Sequence, residues 1–178
     1  FKPLMEDMSS FFQRNYSAGP LVGFDLKDSD GEHHDVICPW NHGRTVGRVR
    51  WTSAEETSHA IEVAWKAFPD WNDTPVEERA AILERFADLM EKHMAELMAL
   101  CCMEGGKLLP DGVAEVREAV DFCRYYAARA REIFEAPTVL PGPTGESNEL
   151  IMQGKGVFAT ISPWNFPIAI FCLSLIHI

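Results

Sequence analysis

The sequence has little positive charge, no paired-cysteine motif and no long apolar run, and each shortage removes a class of function. Lys and Arg together number 16 in 178 residues, against 27 Asp and Glu, for a net charge of −11. A surface of that sign repels phosphate backbones, which excludes nucleic-acid binding by this segment and says nothing of a DNA-binding domain elsewhere in a longer polypeptide. The five cysteines (Cys38, Cys101, Cys102, Cys123, Cys172) contain no C-x-x-C pair. With no secretory leader in view, they read as reduced thiols of a cytoplasmic protein. The most apolar stretch, Phe166 to Ile178, falls short of the roughly 20 residues that a spanning helix needs, so it reads as a buried segment. No internal repeat or low-complexity tract occurs. The first residue is Phe, which leads us to expect a longer natural polypeptide.

What is present suits a soluble globular protein: 47% hydrophobic and 24% charged residues, on a chain long enough for one domain or part of a larger one. Leu4 to Phe12 reads as a short amphipathic helix. His33–Pro39 and Thr45–Trp51 read as strands of a hairpin turning at Trp40-Asn41-His42-Gly43. Ser53-x-x-Glu56 is a capping box, and a buried stripe of Ala60, Ala64, Ala67 and Phe68 follows it to an expected stop at Pro69. Thr74-Pro75-Val76-Glu77 predicts a second helix capped by Thr74, burying Leu83, Phe86, Met90, Leu97 and Cys101 and ending at Gly105-Gly106. A third helix from about Asp111 to Ala136 carries Val113, Val116, Val120, Cys123, Ala127, Ala130 and Phe134, with Phe122 and Tyr125 on a second apolar side. After a turn-rich break at Pro141-Gly142-Pro143, Glu149–Gln153 and Gly156–Ser162 read as strands, the latter buried. This order of elements is that of an α/β fold.

Three apparent motifs fail on geometry. Gly154-x-Gly156-x-x-Ala159 matches a dinucleotide fingerprint, but its glycines precede a strand where the mechanism needs them to open a helix. His33-His34 point to opposite faces of a strand, and Cys101-Cys102 diverge on a helix, so neither pair shares a metal ion. No cysteine has the sequence setting of an activated nucleophile. The remaining candidate is Val157–Pro167, a strand running into a loop in which two prolines bracket Trp164-Asn165-Phe166. A stiff loop presenting a side-chain amide suits stabilisation of an oxyanion. By spacing alone, Asn165 reads more readily as an ordinary turn asparagine making an Asx bond. Pro39-Trp40-Asn41 repeats the tripeptide in the hairpin turn, so the specificity lies in the preceding strand and the following Phe-Pro.

Gly156-Val-Phe-Ala-Thr-Ile-Ser-Pro-Trp-Asn-Phe-Pro167 closely resembles the strand and oxyanion loop of the aldehyde dehydrogenase superfamily. Ala80–Arg85, Met103-Glu-Gly-Gly-Lys107 and Ala114-Glu-Val-Arg-Glu-Ala-Val-Asp-Phe122 are similar to the helical region before it, over roughly residues 20 to 171. The stretch 114–127 is most similar to L-glutamate γ-semialdehyde (1-pyrroline-5-carboxylate) dehydrogenase, in particular the module within bifunctional proline utilization A proteins. Another semialdehyde dehydrogenase, such as one acting on succinate semialdehyde, is the alternative within the superfamily. A non-catalytic interaction fragment is the alternative outside it.

The resemblance implies an incomplete aldehyde dehydrogenase fold: part of the Rossmann-like NAD-binding domain (1–136 and 156–171) with an oligomerisation β-arm (137–155). It implies a covalent, NAD-dependent oxidation in proline catabolism. Asn165 would donate its amide to the oxyanion, and Ile161, Ser162, Pro163 and Trp164 would line the cofactor. Phe166 would pack on the substrate's aliphatic chain, and Glu118 would face its amino group, although a solvated helical glutamate fits Glu118 as well. The arm would pair subunits into a homo-oligomer. Gly105 stands where the family has alanine, a harmless change at a helix end. No metal site is implied. Residues 172–178 fit no recognised family pattern and read as a truncation or foreign junction. The family's later helix, lysine-bearing strand, catalytic cysteine and glutamate are not seen, so the 178 residues alone are expected to be inactive and poorly soluble.

Overall fold

The computed structural model describes residues 2–23, 25–26 and 31–176. Helix α1 (Lys2–Ser9) and a 3-10 turn (Phe11–Gln13) lead into β1 (Tyr16–Ala18) and the short antiparallel pair β2 (Leu21–Val22) and β3 (Asp25–Leu26). The expected hairpin forms from β4 (His33–Ile37) and β5 (Thr45–Arg50). β1 then adds to β5 in parallel, giving the sheet order β1-β5-β4. Gly47 permits that addition, because a Cβ there would lie 2.3 Å from the Tyr16 carbonyl oxygen. Trp40, at the hairpin tip, donates its indole N–H to the Cys102 carbonyl at 2.9 Å and so docks the turn on the helices.

Helix α2 (Ala54–Asp73) starts at the capping box as expected, with Ser53 Oγ accepting from Glu56 N–H and Glu56 accepting from Ser53 N–H. The same Glu56 carboxylate pairs with Arg50 at 2.8 Å, joining the sheet to the helix. The expected stop at Pro69 does not occur: α2 runs through the proline to Asp73. A proline removes one ladder bond, and the next turn is held otherwise, by Thr74 Oγ1 donating to the Asp70 carbonyl at 2.8 Å. Thr74 therefore closes α2 and does not cap the next helix, α3 (Val76–Lys92), whose N-cap position is Pro75 with no side-chain bond. None of the α2 stripe is fully buried, and Ala67 is exposed.

The single helix expected from Thr74 to Gly105 is two. His93, at φ −101 and ψ 18, separates α3 from α4 (Met94–Glu104). The break lets α4 bury Met98, Ala99, Cys101, Cys102 and Met103, a nearly all-round apolar surface that a continuation of α3 would carry past the core. Gly106 takes φ +65 as anticipated, and Lys107 N–H reaches the Cys101 carbonyl at 3.2 Å to close the helix. Phe86, expected inside, is 42% exposed.

Helix α5 (Leu109–Phe134) is the axis of the molecule. It buries Gly112, Glu115, Val116, Ala119, Val120, Cys123 and Ala127 against α3, α4 and the last helix, α6 (Ala169–Ile176), while Phe134 and Tyr125 are exposed. Two arginines on α5 clasp α3: Arg131 pairs with Glu77 and Glu84, and Arg124 pairs with Asp88 and Glu91. Hydrogen bonds from Arg131 hold the carboxyls of Glu77 and Glu84 below the usual carboxylate range. The pairs are exposed and set orientation more than stability.

Past α5, β6 (Thr138–Leu140) and β7 (Asn148–Leu150) form an antiparallel hairpin with exposed Val139, Leu140 and Leu150. The strand expected over 156–162 is absent. That segment has no ladder partner among the described residues, and Phe158 and Ile161 are 62% and 95% exposed rather than buried. A strand exists only through its neighbour's hydrogen bonds, and no described segment offers them. From residue 172 the chain continues in α6 to Ile176, with Cys172 buried. Among the described residues the architecture is mixed α/β, with β1 and β5 the one parallel pair.

Candidate active site

The loop from Ser162 to Pro167 is held on both flanks. Upstream, the extended segment lies along α2, where Gly154 N–H donates to Asn72 Oδ1 at 2.9 Å. Gly156 adopts φ +109, and a Cβ there would come within 2.9 Å of the Trp65 ring. Both glycines of the apparent fingerprint thus serve close packing against a helix flank, and no helix opens after them. Downstream, the loop enters α6 through Ile168 and Ala169.

That entry is governed by Glu115, which is 2% exposed. Its Oε2 accepts the backbone N–H groups of Ile168 at 3.2 Å and Ala169 at 3.0 Å, two donors at the start of α6 that no turn of helix satisfies. Its Oε1 pairs with Lys107 Nζ at 2.8 Å. Lys107 Nζ also sits over the Phe166 ring, 4.7 Å from its centroid. One carboxylate therefore ties together the turn after α4, the second turn of α5 and the start of α6. The ammonium it neutralises rests on the loop itself.

The remaining loop side chains face outward. Ile161 is 95% exposed and Trp164 83%; Pro163 and Asn165 are exposed, Ser162 is half-buried and Phe166 is 38% exposed. The Asn165 side chain makes no hydrogen bond among the described residues, so the Asx bond of an ordinary turn asparagine is not its role there. Being consecutive, Ile161 to Phe166 are brought together by the chain. Glu118 is exposed one turn beyond Glu115 on α5, and no hydrogen bond or ion pair among the described residues joins it to the loop.

Lys107 and Glu115 escaped the reading of the sequence. A signal for Glu115 existed: it falls three residues after Gly112 and four before Ala119, on the buried stripe of α5. An acidic residue in such a stripe requires a buried partner.

All five cysteines are buried and free. Burial, reinforced by the nearby Glu115 carboxylate, pushes the Cys101 thiol up to about 12. Burial, with Cys123 and Glu115 adding, pushes Cys172 to about 11. Burial also raises Cys102 and Cys123. Such thiols are poor nucleophiles, in keeping with their structural reading. Among the described residues no helix is long and apolar enough to cross a membrane.

The model of the aldehyde dehydrogenase family matches residues 26–178. The chain belongs to that family. The matched span includes residues 172–178, which the reading of the sequence had placed outside the family pattern. The bifunctional protein PutA of Klebsiella aerogenes is 43% identical over 143 residues, covering 80% of this chain and 10% of that protein. The crystal structure of proline utilization A from Bdellovibrio bacteriovorus superposes with a TM-score of 0.92 at 29% identity, over 98% of this chain and 18% of that one. A 1-pyrroline-5-carboxylate dehydrogenase from Thermus, solved with bound NAD, gives 0.87 at 35% identity, over 96% of this chain and 33% of that one. The chain thus spans between a tenth and a third of these relatives and matches part of the aldehyde dehydrogenase fold.

Proposed function

We propose that this chain is the part of an NAD-dependent L-glutamate γ-semialdehyde dehydrogenase that carries one half of its oxyanion hole. The complete polypeptide oxidises the semialdehyde to glutamate in proline catabolism. The observation that carries this reading is the Asn165 side chain, exposed and without a partner among the described residues, on a loop stiffened by Pro163 and Pro167 and anchored from behind by Glu115. A donor fixed before charge develops costs no reorganisation when the reaction occurs. Asn165 donates its amide N–H to the carbonyl oxygen that becomes negative when a thiolate adds to the aldehyde carbon.

Ile161, Ser162, Pro163 and Trp164 form the wall along the cofactor. The fit is supported by the exposed indole and sec-butyl surfaces of Trp164 and Ile161, and by the absence of any carboxylate from Val157 to Ile168. NAD, when bound, supplies the hydride acceptor. Phe166 packs on the substrate's aliphatic chain, and Glu118 offers a carboxylate to its ammonium group. The β6–β7 arm, with exposed Val139, Leu140, Leu150 and Ile151, pairs with a second copy. The nucleophile lies outside these residues, since each thiol present is buried.

The test is NADH formation from glutamate γ-semialdehyde and from succinate semialdehyde, with the complete polypeptide and with the 178 residues alone. We expect the complete polypeptide to favour the former and the 178 residues to turn over neither. Preference for succinate semialdehyde would assign another semialdehyde dehydrogenase. No turnover of either by the complete polypeptide would leave a non-catalytic interaction module.

A further inference from the structure

We infer that Glu115 and Lys107 are positioning residues that aim the Asn165 amide, acting together as one strut behind the loop. The inference rests on the reading of Asn165 as an oxyanion donor. Three observations converge on it. First, Glu115 is buried and spends both oxygens on the loop's surroundings: one on Lys107, the other on two backbone amides that follow Pro167 directly. Second, Lys107 is shared between that carboxylate and the face of Phe166, the residue next to Asn165. Third, residues 162–167 have no side-chain hydrogen bond to the helical body among the described residues, and apart from Phe166 under Lys107 and half-buried Ser162 their side chains are exposed.

The chemistry favours a charged pair over an apolar plug at this place. The two amides need an acceptor that a methyl group cannot supply, and a carboxylate is the strongest neutral-pH acceptor available. Its charge needs a cation in turn, and Lys107 reaches it from a turn whose path is set by Gly106 at φ +65. Residues 166, 168 and 169 are thereby fixed from the core side, with Pro163 and Pro167 limiting the rest. Asn165 is left with its side-chain donor without a partner among the described residues. Displacing it by even about 1 Å costs on the order of a hundredfold in rate, so the strut's effect should appear in catalysis as well as in stability.

Two measurements on the complete polypeptide test this. In the first, amide exchange followed by mass spectrometry over residues 166–172 should quicken about tenfold or more in Glu115→Gln, because a neutral amide is the weaker acceptor, while exchange in α3 stays unchanged. Unchanged exchange over 166–172 would overturn the inference, whatever reaction the protein catalyses. In the second, Glu115→Gln, Lys107→Gln, Asn165→Ala and the corresponding double variants are compared for kcat and KM. We expect each single change to lower kcat with little effect on the KM for NAD. Glu115→Gln should cost almost nothing further once Asn165 is alanine, since positioning an absent donor has no value. Lys107→Arg should recover part of the loss from Lys107→Gln. Losses that multiply independently in the double variants would make the pair merely structural and overturn the inference. If Glu115→Gln fails to fold, Lys107→Gln carries both measurements, because it leaves the backbone amides their acceptor. Absence of dehydrogenase activity in the unsubstituted polypeptide would overturn both the function proposed above and the aiming role.

Discussion

The Glu115 carboxylate accepts the backbone N–H of Ala169 at 3.0 Å, across 54 residues of sequence. That bond joins an acid in the second turn of α5 to the first residue of α6, and the Asn165 loop lies immediately before the junction. Glu115→Ala should therefore cost more than an ordinary surface change. It strands Lys107, whose side chain is 19% exposed, and leaves two amides without an acceptor. A loss of about 3 kcal/mol is expected from breaking a buried pair, and replacing both partners by methionine should cost less than the single change. Urea unfolding of the three proteins checks the order.

Asn165→Ala should lower kcat of the complete polypeptide by on the order of 10²–10³ while leaving its melting temperature unchanged, because the side chain is exposed and supports nothing in the fold. Steady-state rates and a thermal melt, measured together, separate the two effects. A kcat within a few-fold of the unsubstituted value would remove Asn165 from the chemistry.

The buried thiols make stability depend on alkaline pH. Folded Cys101 holds its proton up to about 12, against an ordinary thiol value of 9.0, because burial and then Glu115 disfavour the thiolate. The unfolded chain releases that proton earlier. Stability is thus fully present below the ordinary value and is lost as pH rises toward about 12, with Cys172 adding to the effect toward about 11. Urea midpoints should fall above about pH 9, and Cys101→Ser should flatten the fall. A midpoint that stays level through this range would contradict the burial of these groups.

Two glycines at positive φ should respond differently to alanine. Gly145→Ala, at φ +96 with nothing within 4 Å of the added Cβ, costs backbone strain of roughly 1 kcal/mol. Gly156→Ala adds a collision with the Trp65 ring at 2.9 Å and should cost about 2–3 kcal/mol, with a change in tryptophan fluorescence that Gly145→Ala does not produce.

The arm offers a separate check. Val139 is 75% exposed on β6, so Val139→Asp should leave the melting temperature of a monomer nearly unchanged and weaken pairing of the complete polypeptide. Sedimentation of the two proteins at equal concentration reads the outcome.

The sequence by itself determined the features whose causes are local. The Ser53–Glu56 capping box, the β4–β5 hairpin and the left-handed turn at Gly106 each depend on a few neighbouring residues, and each is where the spacing placed it. The loop from Ser162 to Pro167 was legible for the same reason: its two prolines and its asparagine are consecutive. Tertiary structure decided the rest, because those outcomes depend on partners far along the chain. His93 interrupts a helix with no breaker in its sequence, since α4 must turn its apolar circumference toward α1 and α5. Residues 156–162 have strand-like composition but no ladder partner among the described residues, so they form no strand and are largely exposed. Glu115 and Glu118 look alike as letters on one helix. Only the packing of α6 and the reach of Lys107 make the first a buried anchor and leave the second in solvent, because the cost of burying a carboxylate is met by donors that come from elsewhere in the fold.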